Sequence, residues 1–241
     1  MNLIMTMAGK YTRFINEGYK LPKYLLPWGN KSILSVIISE LNINNDFTNI
    51  YLVANKRDEI YMPHVRKILD YLGIPIKNLF LISNTKGQAE TAKNAISIIE
   101  NSTGSLEGNI VFHNIDTILY KRNMRDMKNT LDLNDGYIDI FESSNHAYSY
   151  VLSDNGIVQS IAEKVLISNS ASSGMYAFKN VKTFNEFYDD EVDYISDIYK
   201  NMIKSGSKIA ISKRYNESDT VVLGTPSEYL TLTRFLLYRK R

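Results

Sequence analysis

Leu3-Ile4-Met5-Thr6-Met7-Ala8, running straight into Gly9-Lys10-Tyr11-Thr12-Arg13, is the stretch on which the fold turns. A short apolar run that empties into a glycine and a group of cations reads as a buried strand followed by a polar loop. A strand buried on both faces needs helices on both sides of its sheet, which is the α/β arrangement with parallel strands. In such sheets ligands bind beyond the carboxyl ends of the strands, so loop 9–13 is the first place to look for chemistry.

Moving outward, Asn49-Ile50-Tyr51-Leu52-Val53-Ala54, Leu79-Phe80-Leu81-Ile82 and Asn109-Ile110-Val111-Phe112-His113 repeat the strand pattern. Between them, apolar residues at helical spacing predict helices over residues 32–41, 59–72 and 87–100, the second ended by Gly73. Past residue 135 the texture changes to short strands at 137–141, 149–152, 157–161 and 174–178, split by turn residues such as Asp154-Asn155-Gly156. Two more helices are expected, at 195–204 and 227–238. With no repeat and no linker, the chain reads as one domain, 1–241, whose second half from about residue 136 is mixed and partly antiparallel. Arg239-Lys240-Arg241 reads as a solvated terminus.

Composition narrows the function. The chain has 241 residues, 44% hydrophobic and 22% charged, which fits a folded globular protein and not a disordered one. It has no cysteine, so disulfides, zinc-thiolate sites and thiol nucleophiles are excluded. A net charge of +2, from 28 basic and 26 acidic residues, gives no footprint for nucleic acid. No stretch approaches the ~20 apolar residues of a membrane span, and 3–8 is too short for a secretory leader. The expectation is a soluble, cytoplasmic protein with neither nucleic acid nor membrane as partner.

Three places carry candidate chemistry. In the first loop, Gly9 lets backbone N–H groups approach an anion, while Thr12, Arg13 and Lys23 add donors and positive charge; the alternative is an ordinary polar loop. Asp116, after the fourth strand, is placed to hold Mg²⁺ against phosphate oxygens or else to cap a turn. Glu163-Lys164 follows a strand, where neighbours point to opposite sides, so no salt bridge is expected between them. One of the pair would face a pocket, or both would stand at a wet rim. His64, His113 and His146 show no metal-ligand spacing and read as core or surface histidines.

Taken together, these residues resemble a known family. The strand and loop 4–14, with Pro22-Lys23-Tyr24-Leu25-Leu26-Pro27, are similar to the opening signature of the sugar-phosphate nucleotidyltransferases, the nucleoside-diphosphate-sugar pyrophosphorylases. Glu17-Gly18-Tyr19-Lys20-Leu21-Pro22-Lys23 looks like a branch associated with capsule and surface-polysaccharide genes. Thr85-Lys86-Gly87-Gln88-Ala89 resembles the turn that reads the base, and His113-Asn114-Ile115-Asp116 the metal-binding aspartate. Glu163-Lys164 and Ser173-Gly174-Met175-Tyr176-Ala177-Phe178 resemble the motifs that hold the phosphorylated sugar, and Leu223-Gly224-Thr225-Pro226 the segment that opens the last helix.

The resemblance implies a Rossmann-like, mainly parallel mixed sheet flanked by helices, the nucleotide-diphospho-sugar transferase fold, with a nucleotide-binding half over about 1–135 and a sugar-phosphate half over about 136–241. It implies a Mg²⁺-dependent enzyme that joins a nucleoside triphosphate to a phosphorylated sugar or polyol and releases pyrophosphate. Arg13, Lys23 and Asp116 would be catalytic. Ala8, Gly9, Thr12, Gly87, Gln88 and Asn114 would bind the nucleotide, and Glu163, Lys164 and Gly174 the acceptor. Asp116 would hold the metal, with Asp219 a candidate second ligand.

Two residues depart from the family pattern. Tyr11 stands where the family has a second glycine, so either the loop runs differently or Tyr11 lines the site and stacks on something. Val221-Val222-Leu223 stands where many members carry a second metal-binding Asp. A nucleotide-sugar-dependent glycosyltransferase, or a nucleotide-binding relative impaired in catalysis, are the rival readings. A homodimer through the second half is left open, and an assembly built on an appended β-helix domain is not expected.

Overall fold

The protein is described by a computed structural model covering residues 1–238; the basic end 239–241 lies outside the described residues. The first half alternates strand and helix: β1 (Asn2–Met7), α1 (Thr12–Asn16), a small hairpin β2 (Pro27–Trp28) and β3 (Lys31–Ser32), α2 (Ile33–Leu41), β4 (Asn49–Asn55), α3 (Met62–Tyr71), β5 (Leu79–Ile82), α4 (Gln88–Thr103) and β6 (Ile110–Asn114). Then come β7 (Thr117–Leu119), α5 (Met124–Leu133), β8 (Gly136–Glu142), β9 (Ser149–Asp154), β10 (Ile157–Glu163), β11 (Ser170–Phe178), α6 (Val181–Phe187), α7 (Ile195–Lys204), β12 (Ile209–Ile211), β13 (Thr220–Val222) and α8 (Pro226–Tyr238).

Nine strands form one sheet in the order β5-β4-β1-β6-β11-β8-β12-β10-β9, and β7 pairs with β13 separately. The first four are parallel, with β1 central between β4 and β6. β11 then runs antiparallel to both β6 and β8, which joins the two halves of the chain in one continuous sheet.

The alternation read from β1 decides the layering. Leu3, Met5 and Met7 face one apolar layer with α2, α3 and α5, whereas Ile4 faces the other with α4, α6 and α7. On α4 that face is largely alanine (Ala89, Ala92, Ala95), which lets the helix lie close to the sheet. No helix among the described residues is long and apolar enough to cross a membrane.

Several expectations shift in detail. The helix expected from residue 59 begins at Met62, because residues 56–61 form a 3-10 turn and Pro63 suits a first helical turn, where its missing N–H costs nothing. The fourth strand extends to Asn114. Helices α1, α5 and α6 were not foreseen, the first falling within the stretch read as a polar loop. α5 carries the signal in Met124, Met127 and Leu131 at helical spacing behind an Asn123 cap, but α6 buries only Phe184 and leaves almost no pattern.

Candidate active site

An open cleft of about 700 Å³ lies over the carboxyl ends of the central strands. Its first wall is the β1–α1 loop with Ala8, Gly9, Thr12 and Arg13, joined by Lys23. Gly87, Gln88, Asn114 and Asp116 form the floor, and Glu163 and Gly174 come from the second half. Among the described residues the backbone amides of Lys10, Tyr11, Thr12 and Arg13 donate to no protein acceptor, so they remain free for an anion.

Lys23 and Asp116 meet directly, Nζ to Oδ2 at 2.6 Å, with both side chains partly exposed to the cleft. Pro22, with its extended backbone, precedes the 3-10 turn Lys23–Leu25 that presents the lysine. Asp116 sits in the two-residue link between β6 and β7, its carbonyl held by the Leu223 amide at 2.7 Å. Burial pushes the Asp116 pKa up, but Lys23, joined by His113 and the Thr117 hydroxyl, outweighs this, and the carboxyl is held below its usual value. The floor beneath is His113, fully buried, whose Nε2–H bonds the Thr117 carbonyl at 2.7 Å while Nδ1 has no partner. Burial pulls its pKa down to about 4, so the ring is neutral. His64 and His146 are exposed.

Tyr11 adopts a left-handed backbone, φ 36°, ψ 35°, and lines the cleft. That conformation costs a residue with a β-carbon about 1–2 kcal/mol, and the side chain's contacts offset it. Its hydroxyl donates to Asp58 Oδ1 at 2.7 Å, and its ring lies 5.3 Å from the Arg57 guanidinium. Of the two alternatives for this residue, the structure has Tyr11 lining the site and stacking.

Gln88 Nε2 donates to Asn114 Oδ1 at 2.6 Å, and Gln88 Oε1 accepts from the Ile195 amide at 3.2 Å. Gly174, at φ +82°, lies so close that a β-carbon there would stand 2.4 Å from Asn114 Nδ2. A β-carbon on Gly87 would stand 2.4 Å from the Asp193 carbonyl oxygen. Gly87 is therefore required by a close backbone crossing, in addition to any approach by a base.

At the other end of the cleft, Glu163 accepts from the Ser149 hydroxyl and from Ser196 Oγ at 3.2 Å. Lys164 corrects an expectation. It takes φ +56° and leaves the strand, so its Nζ returns to within 3.8 Å of Glu163 Oε1 and the pair makes the salt bridge that strict alternation forbids. The ammonium also donates to the Tyr194 hydroxyl at 3.1 Å, the main cause of its raised pKa. Lys164 itself does not line the cleft, although its partners Glu163 and Tyr194 do.

Asp219 does not line the cleft. Its carboxylate pairs with Lys121 Nζ at 2.8 Å, because the 3-10 turn at Glu217–Asp219 aims it at the β7 end. The nearby carboxylate that does line the cleft is Glu228, held by the Thr225 amide and hydroxyl at 2.8 and 2.9 Å in a reciprocal cap at the start of α8. Thr225-x-x-Glu228 is a capping-box spacing and was legible as such.

Below this corner, buried Arg122 spends its guanidinium on Asp139 (2.9 Å), Thr220 Oγ1 (2.7 Å) and the carbonyls of Asp219 (2.6 Å) and Tyr120 (3.1 Å), over the ring of Tyr215. This hub fixes β7 and β13 to β8.

Residues 2–238 match the family described as "Nucleotidyl transferase". The chain belongs to this nucleotidyl transferase family. A "Bifunctional enzyme IspD/IspF" from Pelagibacter ubique (strain HTCC1062) is 21% identical over 238 residues, 96% of this chain and 57% of that protein. A "Bifunctional protein GlmU" from Methanococcus aeolicus is 28% identical over 214 residues, 86% of this chain and 48% of that protein. This nucleotidyl transferase chain thus spans about half the length of the curated relatives it matches. Among solved structures, the nucleoside-diphosphate-sugar pyrophosphorylase from Vibrio cholerae RC9 superposes with a TM-score of 0.85 at 24% identity, covering 96% of this chain and 99% of that one. The α/β fold with its mixed, helix-flanked sheet is thereby the one expected.

Proposed function

We propose that this nucleotidyl transferase joins a nucleoside triphosphate to a phosphorylated sugar or polyol, giving a nucleotide-diphospho compound and pyrophosphate. The observation that carries the reading is the meeting of Arg13, Lys23 and Asp116 in one cleft that also contains a carboxylate, Glu163, suited to hydroxyl groups. The name of the Vibrio cholerae nucleoside-diphosphate-sugar pyrophosphorylase supports a nucleotide-sugar product. Residues 17–23 resemble the capsule branch and support a role in surface-polysaccharide assembly.

The acceptor phosphate oxygen attacks the α-phosphorus in line. The bond from that phosphorus to its bridging oxygen breaks, and pyrophosphate leaves with the electron pair. A phosphate is already ionised, so the work lies in bringing two anions together and neutralising the charge that develops. Arg13 holds the β- and γ-phosphates with its planar fork. Lys23 turns from Asp116 to the α-phosphate and the incoming oxygen. Glu163 accepts hydrogen bonds from acceptor hydroxyls, and Lys164 pairs with the acceptor phosphate.

Mg²⁺ binds through one or two carboxylates together with substrate phosphates, and the donor set fits: Asp116 is ionised and on the cleft, and Glu228 Oε2 and Asp116 Oδ2 lie 3.6 and 3.8 Å from where a Gly224 β-carbon would stand. Asp116 would hold the ion, which when bound would neutralise phosphate charge.

The test is pyrophosphate release with Mg²⁺, crossing the common triphosphates against sugar and polyol phosphates. One productive pair is expected. Silence across the panel, with no triphosphate binding by calorimetry, overturns the reading. A glycosyltransferase would release no pyrophosphate.

A further inference from the structure

Asp58 is a buried carboxylate, 1% exposed, that does not line the cleft. It lies in the 3-10 turn after β4, at the carboxyl edge of the strand beside β1. Leaving such a group unpaired would cost several kcal/mol, and its partners come from two separate segments. Oδ1 accepts from the Tyr11 hydroxyl at 2.7 Å, and Oδ2 from the Tyr24 hydroxyl at 3.3 Å. Tyr11 directly precedes Thr12-Arg13, and Tyr24 directly follows Lys23. Arg57 completes the arrangement. Its Nε is 3.5 Å from Asp58 Oδ1, its Nη2 donates to the carbonyls of Ala8 (3.1 Å) and Gly9, and its guanidinium faces the Tyr11 ring. One carboxylate is thus tied to the flanks of both cation-bearing segments.

We propose that Asp58 is a positioning residue that couples the two segments, fixing Arg13 and Lys23 relative to each other so that the anion cradle is set before substrate arrives. The role of the two cations in phosphate binding rests on the function proposed above. The coupling itself does not. The chemistry requires two mutually repelling phosphates to be held in line, and a small error in the spacing of their counter-charges is costly. Phenylalanine would fill the same space at positions 11 and 24, and the hydroxyls add only the bonds to Asp58. Tyr11 keeps its proton to donate, since burial and Asp58 push its pKa up to about 12.

The experiment uses the full chain and the variants Tyr11→Phe, Tyr24→Phe and Asp58→Asn, with two readouts. Hydrogen exchange at the bonded amides of the two segments, Phe14 and Ile15 in one and Leu25 and Leu26 in the other, needs no activity. Each Phe variant is expected to speed exchange in both segments, and the double Phe variant to match Asp58→Asn. In steady-state assays each Phe variant should lower kcat/KM for the triphosphate about tenfold, with the double variant close to the worse single one, as for groups acting as a unit. Exchange that rises only in the segment carrying the substitution overturns the coupling. So does a lowered melting temperature with kcat/KM within twofold of wild type, which is the mark of a merely structural bond. If Asp58→Asn does not fold, the Phe pair decides alone. If the unaltered protein neither binds triphosphate nor releases pyrophosphate, the function falls, and exchange still decides the coupling.

Discussion

Lys23 and Asp116 are each other's counter-charge until a substrate enters, and this sets what their removal would do. Lys23→Ala is expected to lower kcat/KM by about 10²-fold, the loss typical of a removed electrostatic stabiliser. It also takes away the main influence that holds the Asp116 pKa low, so the acid limb of the kcat/KM profile moves to higher pH. A pH series on wild type and variant measures both. The place of Arg13 and Asp116 on the cleft was legible because each follows a strand end, and that of Lys23 through the resemblance of Pro22-Lys23 to the family signature. Asp58 was not, since Lys56-Arg57-Asp58-Glu59 reads as a solvated charge run. Its place just past β4 was the available clue. Asp219 misled because nearness in sequence to the Gly224-Thr225 turn does not bring its side chain to the same face.

At the scale of elements, the close crossings matter more than the helices themselves. Gly174 bends β11 beneath Asn114, where the β11–β8 register also shifts. Gly174→Ala has to accept φ +82° and a clash with Asn114, so a stability loss of about 1–3 kcal/mol is expected in urea unfolding. Triphosphate affinity should fall with it as Asn114 parts from Gln88, readable by calorimetry. Helices α2, α4 and α7 were readable because each buries a long apolar stripe. β12 and β13, three residues each, are too short for any period to show, and their pairing is set by partners distant in the chain.

For the molecule as a whole, His113 links stability to pH. Its pKa is about 4 when folded against 6.5 when free, so between those values the unfolded chain binds more protons. Stability is full above about pH 6.5 and falls as pH drops towards 4, by about 3 kcal/mol in all. His113→Gln, which keeps a donor for the Thr117 carbonyl, should flatten chemical-denaturation curves over that window. The parallel half of the sheet was legible from four strands alternating with three helices. The order of the second half was not, because β11 joins the sheet beside β6 through antiparallel pairing that local sequence does not encode.

The docking of β13 has a consequence for how the protein is made. Asp116 and β7 leave the ribosome well before Thr220, which Arg122 needs, and Leu223, whose amide holds the Asp116 carbonyl. Until they arrive, the Arg122–Asp139 pair lacks its remaining partners and the Asp116 corner of the cleft is unfinished. Contacts so distant in sequence form late and slowly. A chain interrupted before β13 is therefore expected to leave that corner of the cleft without its closing contacts.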